Sequence, residues 1–182
     1  LLIANERIPV IVTRRDTPGD RQRFSMAHEL AHLLLNMPDT WGELQVEQAA
    51  NRFGAALLVP RPTVFQELGQ SRTSLDAIEL HLLKHKYGLS MLAWVHRAHD
   101  LGILSSEAAR RLYREFRRQG WHITEPGDPY PAESSTRLER LILRALQDDL
   151  IGPERASELL GRPLTQFMTE MERQHEGLAL RG

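Results

Sequence analysis

The 182-residue chain contains no cysteine. That excludes disulfide staples, cysteine-based zinc sites and a thiol nucleophile, and it fits a reducing compartment such as the cytoplasm. Neither sign of charge is in excess: 23 Lys and Arg against 24 Asp and Glu leave a formal net charge of −1. Bulk electrostatics therefore gives no reason to expect binding to nucleic acid or to a membrane. No apolar run approaches the ~20 residues of a membrane span, no signal-peptide pattern opens the chain, and no internal repeat is visible. The first residue is Leu1 rather than methionine, which reads as a fragment or processed form whose upstream part is missing. What is present suffices for a core, because 41% of the residues are hydrophobic. A chain of this length folds as one domain or as one and a fraction.

Residues 28 to 32 read His-Glu-Leu-Ala-His. Histidines four apart on a helix stand one turn above each other on one face, so both rings can reach one metal ion. Glu29 points to the side, where it can take a proton from water activated by that metal. This is the physical content of the H-E-x-x-H zinc hydrolase motif. The flanking sequence predicts its helix. Thr17-Pro18-Gly19-Asp20 places an N-cap, a first-turn proline and a first-turn acid, and Asn36 and Pro38 stop the helix after about Leu35. Phe24, His28, Ala31 and Leu35 fall on one stripe, so His28 faces inward with His32 beside it.

Thr40-Trp41-Gly42-Glu43 is a capping-box pattern that starts a second helix, ending before Pro60. Its inner stripe is expected to hold Glu47, Ala50, Asn51, Gly54 and Leu57 or Leu58. A carboxylate on a buried face needs a cation. For Glu47 the candidates are a metal held by His28 and His32, or an arginine such as Arg52 or Arg23. Catalytic zinc takes three protein ligands and keeps a fourth position open. Asn51, one turn further along, is placed to hydrogen-bond the distal ring nitrogen of a zinc-bound histidine. Gly54, Ala55 and Ala56 permit two helices to approach closely.

The segments RQRFSMAHELAHLLL (21–35) and EQAANRFGAALLVP (47–60) resemble the ImmA/IrrE family of zinc metallopeptidases, whose pattern is R-x-x-F-(S/T)-x-A-H-E-x-x-H followed by E-x-x-A-N-x-F-A-A-x-L-L-x-P. KYGLSMLAWVHRAHDLGIL (86–104) is similar to the segment that follows the active site in that family. The resemblance runs from about Ile3 to Gln174 and departs at Gly54, where the family usually has alanine. It implies one Zn²⁺ per chain on His28, His32 and Glu47, with Glu29 as general base. It also implies a helix-turn-helix transcriptional repressor as the protein substrate, in stress response or mobile-element control. Members commonly carry a helix-turn-helix domain in the same polypeptide, which here would lie upstream of Leu1.

The remaining sequence predicts mainly helices. Before the motif, Leu1–Ala4 and Ile8–Thr13 read as a β-hairpin with the turn at Asn5-Glu6-Arg7, and Pro9 gives the second strand a free edge. After Pro60, short helices are expected over 62–68 and from Thr73-Ser74-Leu75-Asp76 to Tyr87 with Gly88 closing it. Others follow from Ser90 to about Leu101, and from Ser105 or Ser106 through Arg118. Residues 124–136, rich in proline and glycine, read as a linker. Beyond it come an amphipathic helix to about Leu150, a short one from Pro153 to Gly161, and a last one from Pro163 through Arg173, with residues 177–182 frayed. The expected fold class is α+β but predominantly helical, a small N-terminal hairpin packed on a helical bundle that carries a two-helix zinc site. The domains are 1–123 for the metallopeptidase and 137–182 for a helical subdomain.

His81 and His85 are also four apart, but with no glutamate between them they read as ordinary half-buried histidines. The helix pair around Gly88 echoes a helix-turn-helix, and Arg110, Arg111, Arg114, Arg117 and Arg118 form a basic stretch. Glu107 and Glu115 interrupt it, so a solvated helix face is expected rather than DNA binding. Peptide hydrolysis also needs a second electrophile for the oxyanion; Tyr87, His96, His99 and His122 are candidates. Three readings stand: a regulatory metallopeptidase, a metal-binding regulator without catalysis, and a DNA-binding module. The first is preferred.

Overall fold

The computed structural model describes residues 2–5, 8–14, 16–133 and 136–179. It is predominantly helical. Strands β1 (Leu2–Asn5) and β2 (Ile8–Ile11) pair antiparallel, with Ala4 opposite Pro9. Glu6 and Arg7, in the expected turn, lie outside the described residues. Nine helices follow among the described residues: α1 (Gly19–Leu34), α2 (Glu43–Leu58), α3 (Arg61–Leu68), α4 (Ala77–Tyr87), α5 (Met91–Asp100), α6 (Ser106–Arg118), α7 (Arg137–Gln147), α8 (Pro153–Leu160) and α9 (Leu164–Ala179).

The chain divides into two units, 1–133 and 134–182. In the first, the core gathers Val59, Val64, Leu80, Leu89, Met91, Trp94, Val95, Ile103, Leu104 and Phe116, all at most 2% exposed. These side chains belong to α3–α6 and their loops, with Phe24 of α1 and Leu58 of α2 packed on the edge. Caps set the helix starts: Asp76 Oδ1 accepts from the Ile78 N–H, Ser90 Oγ from Ala93, and Ser105 Oγ from Ala108. Gly88 ends α4 in the left-handed region at φ 65°, as expected of a residue in the C′ position.

The starts of α1 and α2 differ from the sequence expectation. Thr17 does not cap α1, because its hydroxyl donates back to the Arg14 carbonyl; Pro18 occupies the N-cap and Gly19 begins the helix. α2 begins at Glu43 after Gly42, not at Thr40, with the Gly42 N–H donating to Gln45 Oε1. Residues 125–133 lie across the beginning of α1. The Gly19 N–H donates to the Tyr130 carbonyl, and a Cβ at Gly19 would run into the Pro131 carbonyl. Gln22 Oε1 accepts from the Glu133 N–H, and Arg23 pairs with Glu133. Beneath them Lys84 is buried between Glu125 at 3.0 Å and Asp20 at 3.9 Å. The unit boundary therefore falls at 133/134, inside the stretch read from sequence as a linker over 124–136.

The second unit centres on Ile142, Ala156 and Phe167 of α7, α8 and α9. Its last helix continues to Ala179 rather than stopping at Arg173, and residues 180–182 lie outside the described part.

Candidate metal centre

α1 and α2 pack closely because their contact is made of small residues. Ala27 and Ala31 of α1 and Ala50, Gly54 and Ala55 of α2 are all buried. A Cβ at Gly54 would stand 3.3 Å from the His28 backbone nitrogen, so the two backbones nearly touch at the motif. This proximity brings side chains from the two helices to one point. His28 Nε2 lies 3.1 Å from His32 Nε2 and 3.2 Å from Glu47 Oε2, and His32 Nε2 lies 3.4 Å from Glu47 Oε1. Among the described residues this is the one group of three or more His, Asp or Glu side chains able to hold a metal ion.

Two imidazole nitrogens and a carboxylate oxygen suit zinc. Ligand distances of about 2.0–2.2 Å around a tetrahedral zinc set neighbouring donors roughly 3.3–3.5 Å apart. The three separations found lie close to that edge length, so the residues fit the ion. The histidine side chains are 17% and 24% exposed and Glu47 is 46% exposed, so the site opens toward solvent on the Glu47 side. This corrects one premise of the sequence reading: Glu47 is not on a buried face, and Leu57 and Asn51 of its expected inner stripe are exposed as well. Neither arginine considered for Glu47 pairs with it. Arg52 meets Asp100 at 3.5 Å, and Arg23 meets Glu133 at 3.1 Å.

Asn51 Oδ1 lies 2.9 Å from His28 Nδ1. An amide oxygen only accepts, so this bond keeps the proton on Nδ1 and directs the Nε2 lone pair toward His32 and Glu47. Glu29 sits half-buried on α1, next to His28 in sequence.

The other candidates have separate engagements. The Tyr87 hydroxyl donates to Glu67 Oε1 at 2.6 Å, and that bond to a carboxylate holds its pKa above the usual phenol value. His96 is exposed at the surface but stacks on Tyr113 with ring centroids 4.6 Å apart, its Nδ1 2.9 Å from the hydroxyl. Desolvation of the covered face lowers its pKa, with Asp100 acting in the opposite direction. His99 Nε2 lies 3.2 Å from Ser106 Oγ. His96 and His99 line the same cavity as Asn51; Tyr87 and His122 do not. His81 and His85 are in ring contact, and His85 Nε2 lies 3.1 Å from the Asp128 carbonyl oxygen, with no carboxylate completing a metal group there among the described residues. On α6, Arg111 pairs with Glu107 and Arg118 with Glu115. No described helix is long and apolar enough to cross a membrane.

Sequence reasoning missed the cavity and Arg97 in its wall. The only signal was the polar run His96-Arg97-x-His99-Asp100 in a helix that otherwise packs into the core. Neither a curated protein nor a solved structure gives a significant match to the chain. A family model described as the IrrE N-terminal-like domain does match, over residues 2–99, a span that contains every member of the His28, His32 and Glu47 group. With more than half of its length so matched, the chain belongs to the ImmA/IrrE family, a peptidase family.

Proposed function

We propose that the chain is a zinc-dependent metallo-endopeptidase that cuts a regulatory protein, a helix-turn-helix transcriptional repressor, in the cytoplasm. The observation that carries the hydrolytic part is the convergence of His28, His32 and Glu47 at zinc-like spacing, with His28 fixed by Asn51. A zinc ion held there would supply Lewis acidity to the scissile carbonyl and to the attacking water. Glu29 takes the proton of that water and returns it to the leaving amine. His96 and His99, in the cavity that Asn51 also lines, are better placed to meet the oxyanion than Tyr87, whose hydroxyl is committed to Glu67. The repressor substrate, the stress or mobile-element setting and an upstream helix-turn-helix domain rest on the family resemblance.

The test uses the zinc-loaded chain, the repressor encoded beside it, and mass spectrometry of the products. The expected outcome is a pair of discrete fragments, absent with chelator. In Glu29→Gln, cleavage falls by about 10²–10⁴-fold while zinc stays bound. Wild-type cleavage by that variant would remove Glu29 from its role. Bound zinc without cleavage of the repressor by the wild type would favour the non-catalytic regulator.

A further inference from the structure

α1, α2 and α5 line a half-open cavity of about 630 Å³, within the range of ligand sites. Asn51 lies in its wall, so the cavity adjoins the metal centre through the residue that holds His28. Phe24, Ala55 and Leu92 give it an apolar side. Its buried polar groups are Asp20, 2% exposed and beside Lys84, and Arg97, 8% exposed. The Arg97 Nε–H donates to the Val59 carbonyl at the end of α2, at 3.3 Å. That bond uses one of five N–H donors.

No carboxylate pairs with Arg97 among the described residues. Asp100, the one acid on α5, pairs with Arg52, and Asp20, the other acid in the cavity wall, faces Lys84. Burial pushes the Arg97 pKa down, against the pull of Asp100. An arginine nevertheless keeps its charge in a protein, and a buried charge with no carboxylate at ion-pair distance is costly. The negative end of α2 at Val59 offsets part of that cost. Arg97 lines the cavity, and no described residue accepts a hydrogen bond from its terminal nitrogens.

Resting on the metallopeptidase reading, we propose that this cavity is a substrate subsite that selects an acidic side chain, a glutamate or aspartate near the scissile bond. The carboxylate pairs with the terminal nitrogens of Arg97, and Phe24 and Leu92 cover the methylene stem. The volume leaves room for a neighbouring residue of the peptide.

The experiment gives zinc-loaded wild type a mixed-sequence peptide pool, and then matched peptides with Glu or Gln at each position flanking the cut. At one position kcat/KM is expected to favour Glu by on the order of 10–100-fold. Arg97→Met brings that ratio to about one, and Arg97→Lys keeps part of it. A wild type with no acidic preference at any position overturns the proposal, whether or not the variants fold. So does an Arg97→Met enzyme that slows on both peptides alike and keeps the ratio. If the wild type cuts no peptide, the peptidase reading fails separately, and binding alone is read. N-acetyl-glutamate N-methylamide is then titrated against the ¹⁵N-labelled protein, with the glutamine analogue as control. A saturable shift of the Arg97 Nε–H resonance with the glutamate compound alone supports the pocket; no shift, or equal shifts, overturns it.

Discussion

His28 is held from both sides of its ring: Asn51 at Nδ1, and His32 with Glu47 around Nε2. A ligand fixed in tautomer and orientation before metal arrives loses less freedom on binding, which is why such partners affect affinity without touching the ion. Asn51→Ala is therefore expected to weaken zinc by about 10–100-fold in a competition titration against a chromophoric chelator. Unchanged affinity would show that the Asn51–His28 bond is incidental. At this scale, spacing made most of the centre legible. Four-residue separation set His28 over His32, and an acid facing them from the next helix drew attention to Glu47. Glu47 is nevertheless not on a buried face, since its side chain is 46% exposed. It reaches the histidines because two helices touch at small residues, not because burial forces a counter-ion on it.

The pairing of α1 with α2 turns residue types into a site. Gly54 is its tightest point, with the His28 backbone 3.3 Å from where a Cβ would be. An alanine there requires a shift of a few tenths of an ångström. Gly54→Val adds branches that the neighbouring backbone cannot accept. It should cost roughly 1–3 kcal/mol in urea unfolding and weaken zinc binding together with stability. A valine variant with wild-type stability and zinc affinity would mean that the helices are free to separate. Helix starts that depend on neighbours in sequence were legible at Ser90 and Ser105, whereas α4 begins after Asp76 rather than at Thr73. The start of α1 was not, because the group meeting the Gly19 N–H is the carbonyl of Tyr130, more than a hundred residues away. Local capping rules contain no such partner.

Across the whole molecule, every residue assigned to the centre lies in the unit formed by residues 1–133, whose own core lies largely in α3–α6. A chain ending at Glu133 should keep its helical circular dichroism and its zinc, since the contacts of Gln22, Arg23 and Lys84 to residues 125–133 remain. Loss of helicity in that fragment would mean that the second unit is needed for folding. The boundary itself was only partly legible, because proline and glycine mark 124–133 as irregular but do not reveal that it packs on α1 and α4. Arg97 was illegible for a related reason: a charged residue in a helix reads as solvated unless the neighbouring helix end it bonds to, here Val59 after α2, is known. The central claim, that His28, His32 and Glu47 together hold one zinc ion, is tested most directly by metal-to-protein stoichiometry from native mass spectrometry. The account predicts one zinc per wild-type chain, retention in Glu29→Gln, and loss in His28→Ala, His32→Ala and Glu47→Ala variants that still fold. One zinc per chain in any of those three alanine variants, or none in the zinc-supplied wild type, would contradict it.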